Sequence, residues 1–149
     1  MKQRQSGLSL IQLMLVLALI GIVVAMIVPH VKARWARNQT SEAYDVLTHA
    51  KLTVAQYQAQ QHVLPADAKV AGIPAGASTY LSALTLKSEQ AQGSVTISGT
   101  LQNVNNRIEG KTLALHGTFS ADQKWHWHCT STVDIAWQNY LPDVCRIPL

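Results

Sequence analysis

Residues 7–29 read GLSLIQLMLVLALIGIVVAMIVP and follow a short basic N-terminus, MKQRQS. From Leu8 to Val28 the run is 21 residues without a charge. At about 1.5 Å of rise per residue, a helix of that length spans about 30 Å, the thickness of a bilayer's hydrocarbon core. The segment is therefore expected to enter a membrane. It is too long for the apolar part of an ordinary secretory signal, and no small-x-small cleavage site follows it. The small residue placed for processing is Gly7, in front of the run, so cleavage there would leave the apolar helix on the mature chain.

A basic leader, then glycine, then an apolar helix resembles the class III prepilin signal and the N-terminus of type IV pilins. Gly7 matches the last leader residue, Leu8 the N-methylated first residue, and Ser9 the usual threonine. Leu10, Ile11, Leu13 and Met14 match the apolar core of the motif, while Gly21 and Pro29 match two further signposts. The resemblance implies a leader, residues 1–7, removed by a prepilin peptidase. Residues 8–29 would form a helix that serves first as membrane anchor and then as filament core, and 30–149 a globular head. It marks Gln12, Gly21 and Pro29 as assembly positions. One position departs from the pattern: the family carries a glutamate where this chain has Gln12. In the family that carboxylate is associated with N-methylation and with pairing to the N-terminal ammonium of a neighbouring subunit. Gln12 offers a neutral hydrogen bond in its place.

Without its first 29 residues the chain retains about 120, the usual size for one hydrophobic core. The formal charge of +4 drops to +2 once Lys2 and Arg4 leave with the leader, too small an excess to point to nucleic acid. The two leader cations favour a cytoplasmic N-terminus, although Lys32, Arg34 and Arg37 beyond the span reduce the asymmetry. Cys129 and Cys145 are the two cysteines, both in a head expected to face an oxidising compartment. Together these features favour an N-in, C-out orientation, with one disulfide as the simplest reading of the cysteines.

Beyond Pro29, apolar residues at Val31, Trp35, Ala43, Val46, Leu47, Ala50, Val54 and Tyr57 recur at spacings of three and four. This predicts an amphipathic half-helix continuing to about Gln61, with the proline bending the helix rather than ending it. From His62 to Gln92 the chain is rich in Ala, Pro, Gly and Ser and reads mostly as loop, with a short helical turn near Tyr80 to Leu86. Three strand-like segments follow, Ser94 to Leu101, Lys111 to Phe119 and Lys124 to Cys129. The fold class is α+β: a long N-terminal helix, apolar then amphipathic, packed on a small antiparallel sheet of three to four strands. The stretches IEGKTLAL (108–115), KWHWHC (124–129) and YLPDVCR (140–146) resemble the second and third strands and the disulfide-bounded C-terminal region of type IVa pilins.

Several patterns imitate chemistry. Gly110-Lys111-Thr112 suggests a phosphate loop, but that motif needs a glycine where Asn105 stands and a helix where strand-formers follow. His126 and His128 alternate with Trp125 and Trp127, which places both imidazoles on one strand face with His116 on the expected neighbour. With no carboxylate nearby in sequence, a polar sheet face is favoured over a metal site. The alternating tryptophans read as core rather than as a sugar platform. Lys32, Arg34 and Arg37 read as a solvated face or headgroup anchor. Asn38-Gln39-Thr40 has the pattern of a glycosylation acceptor but lies on a helix that a filament would bury. No activated nucleophile, carboxylate pair or cofactor fingerprint is present, so no catalytic residue, metal or cofactor is expected.

The reading that joins these features is a structural subunit of a type IV pilus, a pool in the inner membrane that is drawn into an extracellular filament. Its partners would be copies of itself or other pilins, the prepilin peptidase and the pilus assembly machinery. Its outputs would be the family's adhesion, twitching motility or DNA uptake. A minor pilin acting as DNA receptor is an alternative, disfavoured because Asp134 and Asp143 are the charges between the two cysteines. A type II secretion pseudopilin is another, which typically lacks the C-terminal cysteine pair.

Overall fold

In the segment Ser94–Leu101, Val95, Ile97, Gly99 and Leu101 are buried, while Ser94, Thr96, Ser98 and Thr100 are partly exposed. This is the period-two signature of a strand with one face on a core. Thr112–Phe119 repeats it with Leu113, Leu115 and Gly117. The computed structural model describes residues 9–74 and 78–146, except the side chains of 28–33. Gly7, Leu8 and the side chains of Pro29, Val31 and Lys32 lie outside that range.

Helix α1 runs Leu10–Gln61, followed by strands β1 (Leu81–Glu89), β2 (Ser94–Leu101), β3 (Thr112–Phe119) and β4 (Trp125–Ser131). The sheet is an antiparallel meander in the order β1-β2-β3-β4. Two short 3-10 turns, Ile135–Tyr140 and Asp143–Cys145, close the described chain. By contacts it divides into two units, residues 1–34 and 35–149.

The second unit holds the core. On α1 the buried residues are Ala36, Thr40, Ala43, Leu47, Ala50 and Val54, at spacings of three and four that make one stripe. Leu81, Leu86, Val95, Ile97, Leu101, Leu113 and Leu115 from the sheet join the same cluster, with Ile108, Val133 and Leu141 from the connections. Two strand glycines make room for large neighbours. A Cβ on Gly99 would come within 2.5 Å of Leu81, and one on Gly117 within 2.7 Å of the Trp127 ring.

Two expectations are corrected. The turn expected at Tyr80 to Leu86 is strand β1, and the reason is a bulge between Leu81 and Leu84 in its pairing with β2. The extra residue spaces the inward-facing Leu81 and Leu84 by three, which imitates a helical period. Trp35, placed on the apolar face by spacing, is 69% exposed. The core stripe runs instead through Thr40, a residue the apolar pattern passed over.

Candidate functional site

Among its described residues the first unit presents an exposed apolar surface. Leu10–Ile27 is 18 residues long, apolar enough to cross a membrane, and none of it is buried. Leu, Ile, Val and Met dominate it, so its transfer to water would be costly and its natural surroundings are lipid or other apolar helices. A Cβ on Gly21 would meet nothing within 4 Å. At the N-terminal end the Ser9 backbone N–H donates to Gln12 Oε1 at 3.2 Å, and Leu13 N–H donates to the Ser9 carbonyl at 3.1 Å. This is the back-bond of an S-x-x-Q capping box, whose spacing was available in the sequence.

In the second unit the C-terminal segment is tied to α1 and to the sheet. Cys129 of β4 and Cys145 form a disulfide with Cα atoms 4.7 Å apart. The Thr40 hydroxyl, fully buried, has the carbonyls of Ala36, Arg37 and Tyr140 around it, with Tyr140 O the closest. Arg37 pairs with Asp143, which also pairs with Arg146 at 2.8 Å. Arg37 is thus an intramolecular tie as well as part of the basic cluster read from sequence. Arg107 lies 4.0 Å over the Trp137 ring, and Trp137 stacks on Tyr140 at 5.8 Å. Apart from the cysteine pair, sequence reading found none of these contacts, since partners such as Thr40 and Tyr140 stand 100 or more positions apart.

That tie also alters the charge argument. Asp134 is paired with Lys111 at 3.5 Å and Asp143 with two arginines, so neither aspartate is an unbalanced charge. Two cations of the head, Arg107 and Lys111, are likewise engaged by the C-terminal segment. Gly110, at φ +74°, belongs to a turn, and Thr112 begins β3, so the GKT string is a strand entry.

The tryptophans of β4 are half-buried against the core. Trp127 stacks on Trp125 at 5.0 Å, lies against Gly117, and has the Lys51 ammonium 5.5 Å from its ring centre. On the opposite face His116 pairs with His128 across the strands, the rings stacked with centroids 5.1 Å apart. His116 Nδ1 is 3.0 Å from the Thr96 hydroxyl and Nε2 3.0 Å from that of Thr130. Burial lowers the pKa of His116, and the like charge of His128 lowers it further. Among the described residues no three His, Cys, Asp or Glu side chains are grouped to hold a metal ion.

A head with a mixed α1-and-meander core, together with an exposed helical segment apolar enough to cross a membrane, suits a membrane-anchored subunit. Comparison with known proteins specifies the class. The family described as Pilin (bacterial filament) matches residues 36–146. The chain is 37% identical over 147 residues to the fimbrial protein EcpC of Eikenella corrodens, covering 98% of this chain and 94% of that protein. It is 32% identical over 133 residues to the type IV major pilin protein PilE of Neisseria gonorrhoeae, covering 89% and 78%. The fold is similar to a crystal structure of a Cs1 pilin chimera, with a TM-score of 0.54, 21% identity, and coverage of 76% of this chain and 98% of that one. The chain belongs to the pilin family, and within it to the type IV pilins. It is a structural, non-enzymatic subunit of a pilus that assembles with other pilins.

Proposed function

We propose that the chain is cleaved between Gly7 and Leu8 by a prepilin peptidase and methylated at Leu8. It then waits in the inner membrane with its N-terminus in the cytoplasm, and is drawn by the pilus machinery into a filament that serves adhesion, twitching motility or DNA uptake. The observation that carries this reading is the uncovered, uncharged surface of Leu10–Ile27. One helix serves two apolar solvents: lipid before assembly, and the helices of other subunits after it. Assembly then exchanges one apolar contact for another without a passage through water. Stacking along such an axis uses head-to-tail contacts that do not close, which generates a fibre. Gly21 and Pro29 are assembly positions in this reading, Gly21 by permitting close helix approach. Gln12 satisfies the first turn without charge. Processing leaves 8–29 as the core helix and 30–149 as the head.

The test is mass spectrometry of filaments sheared from the cell surface. The expected result is this chain in the filament fraction, beginning at a methylated Leu8. Absence from that fraction would sink the assembly reading, and an intact Met1 on assembled chains would sink the processing site. Replacing Gly7 with a bulky residue should leave a full-length, membrane-bound precursor.

A further inference from the structure

Pairing across the sheet builds rows of side chains on the face turned away from the core, Thr85, Ser98, Ala114 and Thr130 forming one of them. The next row is Lys87, Thr96, His116 and His128, and the one after it is Glu89, Ser94, Thr118 and His126. Among the described residues, no hydrogen bond or ion pair joins this face to an element outside the sheet and the residue that follows β4. Small hydroxyl and imidazole groups form its middle, and its aromatic rings are imidazoles alone.

The charges are unevenly placed. Lys87 and Glu89 sit two residues apart on β1 and balance one another. The three histidines sit on β3 and β4, about 10–15 Å from Glu89 at the usual strand spacing of about 4.8 Å. β2 adds no titratable group to this face, and the β3–β4 turn adds Asp122 and Lys124, one of each sign. At neutral pH the face is close to neutral. When the imidazoles charge, five cations, Lys87, Lys124 and the three histidines, stand against Glu89 and Asp122, with the excess at the β4 side. Histidine is the side chain that makes this change between pH 5 and 8.

We propose that the outer sheet face is an acid-gated docking surface for an anionic, uronate-bearing polysaccharide. Imidazolium donors on His126 and His128 would take carboxylates, and the neighbouring hydroxyls of Ser94 and Thr118 would take those of the sugar, while both ring nitrogens of His116 are held by Thr96 and Thr130. Nucleic acid fits the face less well. Single strands are held by stacking on larger aromatic rings, absent here, and duplex phosphates by cations that are permanent. Burial and the like charge of the stacked His128 hold the pKa of His116 below its ordinary value, so a ligand carboxylate beside the pair would favour the protonated form of His116.

The experiment uses the full chain in a non-ionic detergent and measures binding to polygalacturonate at pH about 5 and about 7.5. Neutral dextran and duplex DNA serve as comparison polymers. The expected result is binding to polygalacturonate about tenfold tighter at the acid pH, weakened by salt, with none to dextran. A His126→Gln/His128→Gln double variant, both positions being exposed, should lose that gain while its unfolding temperature stays unchanged. The His126→Lys/His128→Lys variant should bind at both pH values. Binding that is independent of pH, binding kept by the glutamine variant, or equal binding of duplex DNA would each overturn the proposal.

Discussion

Gln12 and Ser9 close the first turn of α1 on itself, with the Gln12 side-chain oxygen 3.2 Å from the Ser9 backbone nitrogen. The first N–H groups of a helix have no intrahelical acceptor, and in an apolar medium each unpaired one is costly. An amide meets that need without bringing a charge into lipid. A carboxylate would meet it as well, but as a buried anion that needs a neighbour's cation.

Gln12→Leu should therefore weaken the N-terminal turn by about 1 kcal/mol, the usual value of a cap, and reduce incorporation into sheared filaments. Gln12→Glu keeps the acceptor and restores a charge for a neighbour's ammonium, so both incorporation and Leu8 methylation should rise. Quantified together at native expression, no change in either would make Gln12 a neutral replacement.

The Cys129–Cys145 bond closes a loop with a sequence separation of 16. In the chain-entropy model such a closure stabilises by about 3 kcal/mol, a large share of a small domain's stability. Cys129→Ser should lower the midpoint of denaturant unfolding accordingly, and reduction of the unaltered protein should lower it by a similar amount. A head equally stable in all three states would contradict the loop-closure account.

Gly117→Ala tests the packing of β3 against β4 by its sign. In an ordinary strand, replacing glycine by alanine stabilises, because glycine is the more flexible in the unfolded chain. Here the new methyl would meet the Trp127 ring at 2.7 Å, so the expected result is a loss of about 1–3 kcal/mol and a shift in tryptophan fluorescence.

Thr40→Val keeps the shape of a buried helical residue but removes the hydroxyl that faces the Tyr140 carbonyl. A buried acceptor left without its donor costs about 1–3 kcal/mol. Limited proteolysis should then cut the segment between residues 132 and 146 faster than in the unaltered protein. Unchanged cleavage would mean that the disulfide and Arg37–Asp143 hold the segment unaided.

His116 ties the stability of the head to pH. Its folded pKa lies below the ordinary 6.5, so within that interval the unfolded chain binds more protons and stability rises with pH. The contribution is complete above about 6.5 and is lost as acid carries the pH down through the folded value. His116→Gln should flatten this part of the stability profile, measured by denaturant unfolding at a series of pH values. A profile unchanged by the substitution would assign the acid sensitivity elsewhere.

Leu10–Ile27 determined from sequence alone that the chain has an apolar helix needing partners, because length and lack of charge are properties of the residues themselves. The amphipathic continuation to Gln61 and the strands β2, β3 and β4 were legible for a related reason. Period 3.6 and period two are local consequences of backbone geometry. β1 was not legible, because the bulge between Leu81 and Leu84 breaks alternation where the partner strand absorbs an extra residue. Thr40 looked like part of a polar surface motif, and only the arrival of Tyr140 from 100 positions away makes it a core residue. The same holds for Arg37, whose partner Asp143 is far along the chain, and for the exposed Trp35. A repeat in sequence states which face a residue shares with its neighbours. What covers that face depends on contacts between distant segments, and those the tertiary structure alone decided.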